Sequence, residues 1–303
     1  MRFLMRQKKS CERVVPRVKN VLVVLPSNIG DVMMCMPSVD YIRSVFPLAK
    51  YYAVASPRTR DFILHLSAFD AVLEYKKDWN WSKKLYFSLS LHKRYQAVFD
   101  YKNSLLPLFA QPLVRMSFFR VIPENIVRMV DAYLSFTQRA LAGFKQERPV
   151  RKTYAILEPE RRAYWDAFFQ TRVKEPAIFI AYASNAQKKN YPIDSFMEVC
   201  RQLQSDRPIV LFGKKDDVQL GRRLTSVAQD PQRIWDLTGQ TTLWDVFYAV
   251  SRYAAVVIGN DSGLMHMSSY INVPTVGIFG PTIVERFGPW SDHARAVVPQ
   301  TRC

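Results

Sequence analysis

The chain holds only four cysteines in 303 residues, Cys11, Cys35, Cys200 and Cys303, and no two form a Cys-x-x-Cys pair. That argues against both a zinc knuckle and a disulfide framework, and leaves reduced thiols as the default. No Asp-x-Asp occurs and the few histidines are not clustered with cysteine, so metal-assisted chemistry lacks its usual ligands. Long apolar runs are missing too. Val21–Pro26 and Ala254–Ile258 are among the longest, well short of the roughly 20 residues that cross a bilayer as a helix. The first nineteen residues, MRFLMRQKKSCERVVPRVK, are basic, but charges interrupt the apolar core that a secretory signal requires, and a cytoplasmic location is expected. No low-complexity segment, repeat period or nucleic-acid-reading motif stands out.

What is present is ordinary globular composition, 49% apolar and 23% charged, in a chain longer than one core usually organises. Two domains are expected, 1–156 and 157–303, with 1–19 as a basic extension. The net charge is +17, unevenly spread: 24 Lys and Arg against 11 Asp and Glu in residues 1–150, and 19 against 15 in residues 151–303. The front half, at +13, is the one suited to a polyanion such as an acidic membrane or a phosphorylated glycolipid.

Asn20–Leu25 is a continuous β-branched apolar run, the pattern of a strand buried on both faces of a parallel sheet. A turn, Ser27-Asn-Ile-Gly-Asp31, follows, and then a helix over Val32–Phe46, in which Pro37 is tolerable only near the start. Further strand-like runs at Tyr51–Ala55, Ala71–Leu73 and Ala97–Phe99 alternate with helical stretches. The back half repeats the alternation, with strands near Ala177–Ala181, Ile209–Phe212, Ile234–Asp236, Val256–Ile258 and Thr275–Phe279. An α/β fold of two doubly wound, Rossmann-like domains results, joined by a charged connector over Arg148–Lys174 that contains a helix at Glu158–Gln170. In open α/β sheets ligands sit beyond the carboxyl ends of the strands, so the loops there are searched first.

The turn at Ser27, Asn28, Gly30 and Asp31 sets a carboxylate beside backbone N–H groups, where an acceptor hydroxyl could lose its proton. An Asp that caps a helix explains the same pattern, and Gly30 allows close backbone approach or positive φ. Val256-Val-Ile-Gly-Asn-Asp-Ser-Gly-Leu-Met-His266 ends a strand and opens a helix whose first N–H groups, at Ser262, Gly263 and Leu264, suit a pyrophosphate. Asp261 is then free for sugar hydroxyls, and His266 is either part of the site or a packing residue. Lys188 and Lys189 follow a strand and could neutralise a leaving phosphate or form a solvated loop. Asp216 and Asp217 follow the next strand, where a carboxylate can hold ribose hydroxyls. Trp79-Asn-Trp-Ser-Lys-Lys-Leu-Tyr-Phe, with His92-Lys-Arg-Tyr95, interleaves aromatics and cations as a membrane interface with anionic lipid does, although cores also contain such stretches.

On these residues the chain resembles glycosyltransferase family 9, the ADP-heptose:lipopolysaccharide heptosyltransferases, from about Val21 to Gly288. The ordered anchors are Ser27–Asp31, Lys189-Asn-Tyr-Pro192, Leu237-Thr-Gly-Gln-Thr-Thr-Leu243, Gly259–His266 and Phe279-Gly-Pro-Thr282. The resemblance implies a GT-B architecture of two Rossmann-like domains facing a central cleft, with the acceptor on the first and the nucleotide sugar on the second. It implies an inverting transfer without metal or other cofactor, from ADP-heptose to the lipopolysaccharide inner core, at the inner face of the cytoplasmic membrane. Asp31 matches the catalytic base, within an acceptor loop of Ser27, Asn28 and Gly30. Lys189 matches the lysine at the donor phosphate, Ser184 and Asn185 the residues near the diphosphate, and Asp217 the ribose carboxylate. Asp261, Ser262, Gly263 and His266 match the loop around heptose and pyrophosphate. Another nucleotide sugar, a protein acceptor or a non-catalytic binding role fits the same motifs. Two departures stand out: Tyr182-Ala-Ser-Asn replaces the usual Pro-Gly-Ala-Ser, which alters the phosphate contacts expected there, and family members commonly continue past the position of Cys303 with helical segments.

Overall fold

The computed structural model describes residues 14–116, 126–148, 150–184 and 186–298, and the chain divides into two compact units, Met1–Tyr154 and Ala155–Cys303. In the first unit β1 (Asn20–Val24), α1 (Ile29–Val45), β2 (Lys50–Ala55), α2 (Pro57–Leu64), β3 (Ala71–Glu74), α3 (Trp81–Ser90), β4 (Ala97–Asp100), α4 (Leu106–Ala110), β5 (Val114–Arg115) and α5 (Met129–Ala140) alternate. The strands pair in parallel in the order β3-β2-β1-β4-β5. Leu22, Val24, Val54 and Val98 of the three central strands pack with Leu91, Tyr95, Leu106 and Ala110 into one buried cluster, which is why those strands read as unbroken apolar runs.

α1 starts at Ile29, not at Val32, so Ser27 and Asn28 form the turn and Asp31 lies in the first helical turn. Gly30 is helical as well; among the described glycines positive φ occurs only at Gly143 and Gly239. Because the helix begins early, Pro37 falls in its interior, against the expectation that it sits near the start. The ring removes the hydrogen bond to the Met33 carbonyl. The helix persists because it is buried nearly all round, through Met33, Met34, Cys35, Met36, Val39, Ile42 and Val45, so packing outweighs the lost bond.

The second unit runs α6 (Pro159–Phe168), β6 (Ala177–Ala181), α7 (Ile193–Leu203), β7 (Ile209–Phe212), α8 (Val218–Thr225), β8 (Ile234–Asp236), α9 (Leu243–Tyr253), β9 (Ala254–Asn260), α10 (Gly263–Tyr270), β10 (Thr275–Ile278), α11 (Val284–Phe287) and β11 (Ala294–Val297). Its strands are parallel in the order β11-β10-β9-β6-β7-β8. Counted from its own first strand this is 3-2-1-4-5-6, and the first sheet is 3-2-1-4-5. Each sheet therefore reverses direction once, between β1 and β4 and between β6 and β9, and those two points are where a doubly wound sheet opens a crevice. At the second of them Gly259 pairs with Ala181. A Cβ at Gly259 would stand 2.9 Å from the Ala181 Cβ and 3.0 Å from its carbonyl oxygen, so glycine permits the strands to approach there.

The stretch expected to be a connector is instead core of the second unit. Trp165, Phe168 and Phe169 are buried and form edge contacts with one another, with Phe168 also against Trp235 and Phe169 stacked on Tyr253. The charges of α6 resemble a linker in sequence, but Arg161 and Asp166 are bonded to Asp245 and Tyr248 of α9, and the aromatics that decide its position recur at helical spacing.

Candidate functional site

In the second unit, the loops that follow β6 and β9 are tied together by one buried side chain. Asn260, at the end of β9, donates from Nδ2 to the Tyr182 carbonyl (2.7 Å) and accepts at Oδ1 from the Tyr191 N–H (2.9 Å). Asn190 adds a second clamp, accepting the Ser184 N–H at 2.8 Å. The Ser184 hydroxyl donates to the Ala186 carbonyl at 2.9 Å. A short 3-10 turn, Gln187–Lys189, then carries Lys189 to the end of β9, where its Nζ stands 2.6 Å from Asp261 Oδ2. Asn185, the neighbouring expectation, lies outside the described residues.

Asp261 is buried and surrounded by donors. Its Oδ1 faces His266 Nε2 at 3.4 Å, one helical turn into α10. Burial alone would raise its pKa, but hydrogen bonds from His266, Lys189 and Thr282 together with the His266 ring outweigh it and hold the carboxyl down at about 2. Asp261 Oδ2 and Oδ1 are engaged by Lys189 and His266, so the carboxylate orients both groups. The His266 ring stacks on Trp290 with centroids 5.7 Å apart and a 25° angle between the planes, and its Nδ1 is buried without a hydrogen-bond partner. The Ser262 hydroxyl is also buried and unpaired, although Ser262 is the N-cap of α10. Two unsatisfied polar atoms beside the N–H groups that open a helix are unusual in a folded interior, and they point to a place where an anionic, hydroxyl-bearing ligand would complete the bonding.

A depressed carboxyl adds stability above its ordinary pKa and loses it as pH falls through the folded value. The stability difference between the wild type and Asp261→Asn is therefore expected to reach about 2 kcal/mol near neutral pH and to shrink as pH falls from about 4 towards about 2. Urea unfolding at a series of pH values measures it; a difference that does not change with pH would mean that the Asp261 carboxyl is not depressed in the folded state.

Asp217 stands apart from this cluster, after β7. Its Oδ2 accepts the Lys214 N–H at 2.9 Å and its carbonyl accepts the Tyr182 hydroxyl at 3.1 Å, so the carboxylate closes its own turn with one oxygen. Tyr182, one of the departures from the family pattern, is thereby accounted for as a tie between the β6 and β7 loops; its hydroxyl also bonds Thr238 Oγ1 at 2.7 Å. In the first unit, Asp31 is half-buried in the opening turn of α1, with Asn28 Nδ2 donating to its Oδ2 at 3.1 Å. It is not the N-cap; Asn28 holds that position and makes no side-chain capping bond. Sequence reasoning missed Asn190, Asn260, Thr282 and Trp290 as individual residues. The first three lie inside motifs that were singled out, but their roles depend on which loops meet at the β6/β9 switch. Among the described residues no group of three or more His, Cys, Asp or Glu side chains is placed to hold a metal ion.

Comparison with known proteins identifies the family. The chain is 25% identical to lipopolysaccharide heptosyltransferase 2 of Escherichia coli, over 91% of this chain and 87% of that protein. It is 23% identical to lipooligosaccharide heptosyltransferase 2 of Haemophilus influenzae, over 92% and 88%. Among solved structures, the E. coli ADP-heptose lipopolysaccharide heptosyltransferase II superposes with a TM-score of 0.72 at 23% identity, covering 92% of this chain and 90% of that one. A family 9 glycosyltransferase from Veillonella parvula gives 0.74 at 18% identity, over 93% and 86%. These similarities place the fold as GT-B in type. The sequence model of glycosyltransferase family 9 (heptosyltransferase) matches residues 84–303, nearly three quarters of the chain, and the protein belongs to that family.

Proposed function

We propose that the protein transfers heptose from ADP-heptose to a phosphorylated lipopolysaccharide inner-core acceptor, with inversion at the anomeric carbon and without a metal ion. The observation that carries this reading is the cluster of Lys189, Asp261, His266 and the α10 N-terminus at the β6/β9 switch. A lysine ammonium and unpaired helix N–H groups can neutralise the charge that builds on a departing diphosphate, the task that a divalent cation performs elsewhere. The names of the relatives supply the donor and acceptor classes.

In the proposed step the acceptor oxygen attacks the anomeric carbon from the face opposite the phosphate. The new carbon–oxygen bond forms as the bond to the β-phosphate oxygen breaks, and the electron pair leaves with ADP. Asp31 takes the acceptor proton, since a hydroxyl that keeps its proton is a poor nucleophile. A single displacement inverts the centre. Ser27 and Asn28 flank the acceptor, Lys189, Ser262 and Gly263 meet the diphosphate, His266 meets the sugar or phosphate through Nδ1, and Asp217 meets the ribose through its remaining oxygen.

The test is ADP release from ADP-heptose with a heptose-deficient core acceptor, in the presence and absence of EDTA, with the product linkage assigned by NMR. Release that is unaffected by EDTA and yields the inverted linkage supports the proposal. Release no faster than from Asp31→Ala sinks it, and a panel of nucleotide sugars distinguishes a different donor.

A further inference from the structure

The aromatic and cationic stretch after β3 has no part in the donor chemistry, and its two faces have separated roles. On the inner face of α3, Phe87 packs against Tyr75 and Trp79 with ring centroids 5.4 and 5.7 Å apart, and Leu91, just past the helix, is in the buried cluster of the first sheet. That face anchors the helix. Trp81, Leu85 and Leu89 recur at a spacing of four, one row along the helix, with Tyr86 beside it. They are 76%, 37%, 56% and 77% exposed. Folding does not require these side chains, and a contiguous apolar stripe left in water marks an interaction surface. The neighbouring α4, which packs on α3, leaves Leu105 and Leu108 exposed as well.

Cations flank this stripe in the sequence. Residues 76–94 contain Lys76, Lys77, Lys83, Lys84, Lys93 and Arg94 against a single acid, Asp78, and Lys77, Lys83, Lys93 and Arg94 are exposed. Lys76 is shared with Glu74 at 3.3 Å, and Lys83 Nζ lies 4.8 Å over the Trp79 ring. Asn80 fixes the start of the helix, its Oδ1 accepting the Lys83 N–H at 2.9 Å. A short, capped helix with a Trp, a Tyr and leucines facing outward and lysines at its margins has the make-up of an element that lies in a lipid interface.

We propose that the outer face of α3 docks on an anionic lipid surface, with Trp81, Leu85, Tyr86 and Leu89 entering the headgroup region and Lys77, Lys83, Lys93 and Arg94 meeting lipid phosphates. A partner protein or second copy would bury the same stripe, but the surplus of five positive charges over the segment favours a surface that is both apolar and negative. The inference deepens the acceptor side of the function proposed above, and its test reads lipid binding in the absence of donor and acceptor, so the two can fail separately.

The experiment is co-sedimentation of the full chain with vesicles of phosphatidylcholine alone and of phosphatidylcholine mixed with phosphatidylglycerol, for the wild type, for Trp81→Ser/Tyr86→Ser/Leu89→Ser, and for Lys77→Gln/Lys83→Gln/Lys93→Gln. Binding is expected only to the anionic vesicles. The serine variant should lose about tenfold or more of it, and the glutamine variant roughly fivefold for each lysine removed. Both variants should keep the wild-type melting temperature and the wild-type turnover of a detergent-dispersed acceptor. Equal binding to neutral and anionic vesicles overturns the proposal, as does equal binding by the wild type and the serine variant. A dimer in light scattering that the serine substitutions abolish would assign the stripe to a second copy and overturn it as well.

Discussion

Alanine at position 31 is expected to slow transfer by about a hundredfold to ten-thousandfold, the range that a positioned general base contributes, while nucleotide affinity stays at the wild-type level. The local structure makes this a sharp test. Asp31 is within the opening turn of α1 rather than ahead of it, and the N-cap position belongs to Asn28. A carboxylate there interacts favourably with the helix end, so loss of a merely structural Asp31 would lower stability by about 1 kcal/mol or less and leave the rate per folded molecule unchanged. Under the proposed reaction the pattern is reversed: a large fall in single-turnover rate with a small change in unfolding free energy. Asp31→Asn keeps the shape and the Asn28 contact but cannot take a proton, and it should be as slow as the alanine variant. If Asp31→Asn retains most of the wild-type rate, the proton goes elsewhere.

The largest effect on stability is expected at Asp245, far from any reacting atom in the argument above. Its side chain has no exposed surface and accepts five hydrogen bonds. Arg161 donates from Nε and Nη2 at 2.8 and 2.6 Å, Trp165 from Nε1 at 2.8 Å, and Thr242 from its N–H and hydroxyl at 2.8 and 2.6 Å. Thr242 and Asp245 thereby form a capping box at the start of α9, and the same carboxylate pins α6 to it. Burial works against the charge, but these donors outweigh it and hold the carboxyl below its ordinary range. Asp245→Ala leaves the buried Trp165 N–H without a partner and removes the carboxylate half of the capping box, although the Thr242 hydroxyl can still accept the N–H of residue 245, for a total of about 3 kcal/mol. Arg161 is 42% exposed, so Arg161→Ala should cost only about 1 kcal/mol. Thermal and urea unfolding of the two variants check the ranking; equal losses would show that the ion pair, and not the buried indole and cap, dominates.

The α/β alternation could be read from the sequence because each central strand is buried on both faces and therefore apolar throughout, as at Val21–Val24 and Ala177–Ala181. The short edge strands β5 and β11 were not legible, since Val114–Arg115 and Ala294–Val297 mix polar and apolar residues and are fixed by their neighbours. Pro37 misplaced the start of α1, because a proline in the interior is tolerated only where burial on every side sustains the helix. The donor loops were legible as motifs, but the sequence could not show that Asp261 bonds to Lys189, His266 and Thr282. Spacing gives the chemistry available in each loop; which groups neutralise one another depends on the strand order that brings β6 and β9 side by side. Asn260 illustrates the point, since an asparagine beside a conspicuous aspartate reads as filler until two loops are seen to hang from it.

Among the described residues no strand is exchanged between the two sheets: β1 to β5 end at Arg115 and β6 begins at Ala177. The nine crossovers between described strands of the same sheet join parallel strands through intervening segments, the kind of connectivity that folds slowly and exposes sticky edges meanwhile. Growing from the ribosome, the chain can zip up its first sheet before the second has been translated. At most one unfinished sheet is then exposed at a time, which shields a basic, aromatic-rich polypeptide from aggregating during its own synthesis.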